Sequence, residues 1–249
     1  MKIFVIFFAI FALVKSNVLE RSKIFQDINC NIQDPDLDKC LLNGVRKSLP
    51  RWLKGIPELG VPPLDPLYIP KLTIDQVISD FVNITATYTN LEVMGFRNTV
   101  INSLKVDPQN LYGSIKITIP WLHIQTDFSL NGKIGPMSIE NRGGHSEGNF
   151  TDIFFFMKAS VKPYKKDDGL EYFKINKLHQ EITISDGQIK VDTKDKQYQP
   201  AVEMMTSFFN QNAPSMLETA SPIISKTSEK MTKNLLDNIL SNIPTSEIM

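Results

Sequence analysis

At 249 residues with 42% hydrophobic content, the chain is long enough to bury a sizeable core, and that content excludes a disordered chain. Its 27 basic and 27 acidic residues balance, which leaves no electrostatic footprint for nucleic acid and no basis for stable association with anionic membranes.

Met1 to Ser16 carries Lys2, an apolar run from Ile3 to Val14 and the ending Val14-Lys15-Ser16, which predicts a secretory signal peptide over residues 1–16. The twelve apolar residues would rise only about 18 Å as a helix, short of the roughly 30 Å hydrocarbon core. Loss of Lys2 and Lys15 with the signal leaves a net charge of about −2 on residues 17–249, which are expected to form a single extracellular domain. Cys30 and Cys40 stand alone with nine residues between them. In an oxidising compartment the pair reads as a disulfide worth about 2–3 kcal/mol, and a metal site would need more ligands than the surroundings offer.

Asn17 to Asn29 reads as a tether or short helix, which the disulfide would pin to the next element. Asp34 and Pro35 open a helical stretch carrying Asp38, Cys40, Val45 and Leu49 that is expected to stop near Pro50. Residues 55–72, GIPELGVPPLDPLYIPKL, hold five prolines that forbid regular helix and favour an extended, stiff surface strip.

Strands follow. Val82, Ile84, Ala86 and Tyr88 alternate with Asn83, Thr85, Thr87 and Thr89, one apolar face against one wet one. Asn83-Ile84-Thr85 is a glycosylation sequon on the wet face. Over residues 111–130 the apolar positions change parity, from Ile115, Ile117 and Ile119 to Leu122, Ile124, Phe128 and Leu130. That change predicts a bulge or kink near Pro120, with Trp121 beside it. Asn149-Phe150-Thr151 is a second sequon, expected at a strand's entrance after Gly148. Ile153, Phe155, Met157, Ala159 and Val161 then give one continuous apolar side, while Phe154 and Phe156 interrupt the polar one. Residues 170–191 predict two strands joined by a hairpin at Asp186-Gly187.

From Tyr198 to Ile243 apolar residues recur every three or four positions, the stripe of an amphipathic helix roughly 60 Å long. Pro214 and Pro222 should bend or divide it. Helix at both ends and strand between them predict an α+β fold with a curved antiparallel sheet around the closing helix.

One catalytic pattern matches, Gly144-His145-Ser146-Glu147-Gly148, but the nucleophile elbow requires a buried strand before it and a helix after it. Here a polar, glycine-rich segment precedes and an aromatic strand follows, so the stretch reads as a turn and an esterase using Ser146 is a remote alternative. His123, His145 and His179 have no metal-ligand spacing, and no cofactor motif is present. The chain instead has 15 phenylalanines and 9 methionines, with dense blocks at Phe154 to Met157 and at Met204, Met205, Phe208 and Phe209. Such soft, bulky material suits the wall of a cavity for a flexible apolar ligand as well as an ordinary core.

Three stretches resemble the insect takeout and juvenile hormone binding protein family: the Cys30–Cys40 pair around Asp34-Pro35-Asp36-Leu37-Asp38, the proline run at 55–72, and Phe208-Phe209-Asn210-Gln211-Asn212. The chain departs from the pattern at Ala213-Pro214, where the family often has tryptophan, and at the polar VDTKDKQYQP before the last helix. The resemblance implies a non-enzymatic, secreted carrier, monomeric and without cofactor, that holds a small lipophile such as a juvenile hormone-like terpenoid in an apolar tunnel. Feeding, circadian or chemosensory signalling would be its setting. Candidate tunnel residues on the strands are Tyr88, Trp121, Phe128, Phe155 and Met157. On the closing helix they are Met204, Met205, Phe208, Phe209, Leu217 and Ile224. The competing reading is a secreted signalling or interaction protein whose cavity is filled by its own side chains, with Phe154 and Phe156 as a docking patch.

Overall fold

The computed structural model describes residues 28, 30, 31, 33–79, 82–134 and 136–247. The expected signal peptide, and the tether apart from Ile28, lie outside the described residues. Cys30 and Cys40 form the expected disulfide. Helix α1, Leu37–Leu53, buries Leu41, Val45, Leu49 and Trp52 at helical spacing. It runs through Pro50 rather than stopping there. The proline run is ordered as expected but is more than a surface strip, since Ile56, Leu59, Val61, Leu64 and Leu67 are all buried.

Six antiparallel strands follow: β1 (Leu67–Ser79), β2 (Val82–Met94), β3 (Val100–Asp107), β4 (Tyr112–Ile134), β5 (Met137–Lys165) and β6 (Glu171–Thr193). The sheet is open, in the order β1-β2-β4-β5-β6, and β3 pairs with the first part of β4 where β2 does not reach. The expected hairpin at Asp186-Gly187 is absent, because β6 runs straight through it. Gly187 has a different task. A Cβ there would stand 2.5 Å from the Phe150 ring, so the glycine makes room for an aromatic seated across the strand. The GHSEG stretch and the Asn149 sequon likewise lie inside β5, not in a turn or at a strand entrance.

The sheet owes its curvature to paired outward residues. In β4 the buried set passes from Ile115, Ile117 and Ile119 to Leu122, with Pro120 and Trp121 both exposed between them. The parity change is where the sequence places it, but its form differs from a one-strand bulge. Pairing stays in step, Ile119 with Ile153 and Trp121 with Thr151, because β5 reverses opposite it at Asp152 (φ 50°) and β6 at Ser185 and Asp186. A second line of reversal joins Pro70 of β1 to Asn90 of β2 (φ 53°), where the β2–β4 register shifts. Each of these five strands therefore turns an apolar side inward on both arms of a bend. Gly95, at φ 108° with a Cβ position 2.6 Å from the Trp121 carbonyl oxygen, lets β2 end against the bend.

The closing helix is divided. α2, Gln199–Gln211, ends at Asn212, and α3, Ala213–Leu240, starts with Pro214 in its first turn, where the missing N–H is harmless. Pro222 is accommodated inside α3. Both helices lie along the outer edge of β6 and satisfy its free backbone groups every seventh residue. Asp237 accepts from Ile175 N at 2.7 Å, Ser225 accepts from Ile182 N at 2.9 Å while Ser221 donates to Ile182 O, and Asn210 holds both Ile189 N and O. Seven-residue steps would alternate between edges in a regular strand. They stay on one edge here because the unmatched Asn176 and the reversal at Ser185 each turn the strand once. α1 treats β3 alike, with Arg46 donating to Ile101 O and Asp38 accepting from Val106 N. Such side-chain cover protects strand edges from pairing with other chains.

Candidate functional site

Between the inner face of the bend and α3 lies a cavity of about 420 Å³. Its floor is made by residues on both arms of the reversals, among them Ile69 and Leu72 of β1, Ile119 and Leu122 of β4, and Phe150 and Ile153 of β5. Its roof is one face of α3, Ile224, Thr227, Ser228 and Met231, at positions i, i+3, i+4 and i+7. Below this opening, the filled end of the molecule packs Met157, Phe173, Leu236 and Ile239 without measurable exposure.

Few polar groups reach the cavity. Thr126 and Ser146 are direct cross-strand partners, and Tyr88 pairs with Phe128 two positions along. Thr126 donates to backbone oxygen within its own sheet. Among the described residues neither the Tyr88 hydroxyl nor Ser146 Oγ has a hydrogen-bond partner. Burial pushes the Tyr88 phenol above its ordinary pKa, so it stays protonated. On the roof, Ser228 accepts from Gln180, whose oxygen is held by the buried Thr232.

The sequence-based candidates separate under this geometry. Tyr88, Phe155 and Ile224 line the cavity. Phe128 shares the Tyr88 face just beyond the lining, and Met157 and Leu217 are buried in packed regions outside it. Trp121 sits on the outer face of the bend. Met204 and Met205, each 69% exposed, and Phe208 at 58% point away from the sheet, and Phe209 is half-buried outside the lining. The reading of the 204–209 block as a tunnel wall is therefore corrected: α2 turns Gln199, Glu203, Thr206 and Asn210 towards β6 and leaves its apolar stripe outside. What the sequence reading passed over is β1 and the Ile182, Ile184 and Ile189 row of β6, whose alternation is indistinguishable from that of a filled core. The two hydroxyls Thr227 and Ser228 inside an apolar helix stripe were the available signal.

The catalytic alternative has no geometry. His145 and Ser146 are neighbours on a strand and so point to opposite faces. On the outer face His145 Nδ1 meets Asp127 at 3.0 Å, continuing a chain from Tyr68 through Asn90. Hydrogen bonds from Asn90 and then His145 hold Asp127 below the usual carboxylate range. His123 pairs with Asn149, and His179 with Glu181, on exposed strand surface. Among the described residues no group of side chains could hold a metal ion, and no helix is long and apolar enough to cross a membrane.

Comparison with known proteins adds the lineage. No curated sequence matches. The crystal structure of takeout 1 from Epiphyas postvittana superposes with a TM-score of 0.65 at 19% identity, over 89% of this chain and 98% of that one, and shares the fold. Lipopolysaccharide binding protein gives a TM-score of 0.32 at 12% identity over 68% of this chain and 32% of its own, too low to carry an argument. Residues 5–249 match the model of the haemolymph juvenile hormone binding protein family, a family of binding proteins rather than enzymes, and the chain belongs to it.

Proposed function

We propose that the protein is a secreted, monomeric carrier of a small hydrophobic molecule, with a juvenile hormone-like terpenoid or a comparable lipid as cargo. The observation that carries this reading is the apolar cavity of about 420 Å³ between the bent sheet and α3. That volume lies within the range of small-molecule sites and counts against a cavity filled by its own side chains. A ligand burying about 400 Å² of apolar surface at roughly 25 cal/mol per Å² gains on the order of 10 kcal/mol before the costs of association, which supports affinity in the micromolar range or tighter. Asn83 and Asn149, both exposed on strands, are the proposed glycosylation sites.

The reading is tested by purifying the secreted protein without detergent, extracting it and examining the extract by mass spectrometry. A bound lipophile, or displacement of a neutral fluorescent probe by one, is expected. Protein that emerges empty and binds no apolar probe would end the proposal.

A further inference from the structure

We propose that the outer edge of β1 is a docking surface for a second copy of this chain, joined by antiparallel pairing about a two-fold axis through Thr73. The other strand edges have cover: α2 and α3 answer the backbone groups of β6, and α1 answers those of β3. β1 ends the sheet on the opposite flank, and among the described residues nothing pairs with its outer backbone edge beyond the bridge from Leu64 to Leu67. A strand with free N–H and C=O groups is a template for another strand. The pairing concerns how copies meet, so it goes beyond the carrier reading and does not depend on the cargo.

Charge identifies the occupant. Leu72 and Ile74 line the cavity, so Lys71, Thr73 and Asp75 stand on the outer face, where all three are exposed. Thr85 donates to Asp75 at 2.7 Å and holds it there. A lone lysine on an edge discourages other strands from joining. Lys71 is not alone. Antiparallel pairing about Thr73 sets Lys71 opposite Asp75 of the second copy and Asp75 opposite Lys71 of that copy, with Leu72 facing Ile74 between them. The arrangement is self-complementary, as a two-fold interface requires. Directly opposed residues have Cβ atoms about 5 Å apart, close enough for both ion pairs, and sliding the register by two residues in either direction loses both. Pro70 has no N–H to give and ends the ladder, so the paired stretch is short, running from Lys71 to Asp75. Its small area makes the association reversible: the carrier is a monomer when dilute and pairs when concentrated. Leu72 and Ile74 belong to the cavity wall, so pairing also brings two cavity rims together.

Sedimentation velocity of the secreted protein from about 5 to 500 µM in about 50 mM salt tests this, with a wild-type dimer Kd expected on the order of 100 µM. Lys71→Asp sets two carboxylates opposite each other at both contacts and Asp75→Lys two ammonium groups, so each variant alone should raise that Kd by about tenfold or more. An equimolar mixture of the two variants restores opposite charges and should pair about as well as wild type, which also reports that both are folded. Thr73→Cys, on the axis, should oxidise to a disulfide-linked dimer, since Cys30 and Cys40 are already bonded to each other, while Ser185→Cys on the exposed surface of β6 should not. Wild-type protein that stays monomeric at the highest concentration, single variants that pair like wild type, a mixture that does not recover, or Thr73→Cys linking no faster than Ser185→Cys would overturn the proposal. Binding of a neutral apolar probe, measured on the same samples, reports on the carrier reading separately.

Discussion

The two ends of the bent sheet are built from the same kind of residue and do different things. Below the bend, Ile115, Ile117, Met157 and Phe173 close against α1 and the end of α3 with no space left. Above it, Ile69, Leu72, Ile124 and Ile184 have the same composition and alternation, yet face an opening. The difference is not hydrophobicity but what stands opposite. The filled end receives α1, the end of α3 and the disulfide-linked segment, whereas at the other end, among the described residues, the cavity is roofed by the middle turns of α3 while α2 stays along the outer edge of β6. A carrier needs both arrangements, a rigid base and an arm whose apolar residues are left for another molecule.

Truncations should expose that asymmetry. Phe173→Ala, in the packed end, is expected to lower unfolding free energy by about 3–5 kcal/mol in urea titrations, while Ile184→Ala at the cavity should cost less than about 2 kcal/mol because its cavity side already lacks contacts. Similar losses at both positions would mean that the two ends are equally packed. Replacing Cys30 and Cys40 together by serine should remove about 2–3 kcal/mol, felt by the base, and should leave probe affinity nearly unchanged. A collapse of binding in that variant would tie the N-terminal segment to the cavity instead. Smaller still is Asp152→Val at the bend: a β-branched residue at positive φ should cost about 1–2 kcal/mol, whereas Asp152→Gly should be neutral or slightly stabilising.

Much of this architecture can be read from residue patterns, and the exceptions have physical causes. The parity change around Pro120 is visible because apolar side chains mark both sides of it. Its counterparts at Asn90 and Asp152 are not, since a polar residue in a strand does not declare a positive φ. Asp186-Gly187 carries the local signature of a turn, but the glycine is there for the Phe150 ring, a contact between strands that no short window contains. The division at Asn212 follows from Pro214, as expected. The Met204 to Phe208 stripe shows the limit of periodicity: it identifies the apolar side of α2 but not what lies opposite, and here that side faces outward. For the same reason, Tyr88, Phe155 and Ile224 could be proposed from sequence together with residues that never reach the cavity.

The central claim is that cargo occupies the space between the bend and α3, and not the exposed stripe of α2. Binding of a neutral apolar probe to wild-type protein and to Ile224→Trp measures this most directly, since the larger side chain enters the cavity from its roof. Probe affinity is expected to fall by more than about tenfold while stability changes by no more than about 1 kcal/mol. Undiminished binding by Ile224→Trp, lost instead in Phe208→Ser, would place the ligand on α2 and contradict the account.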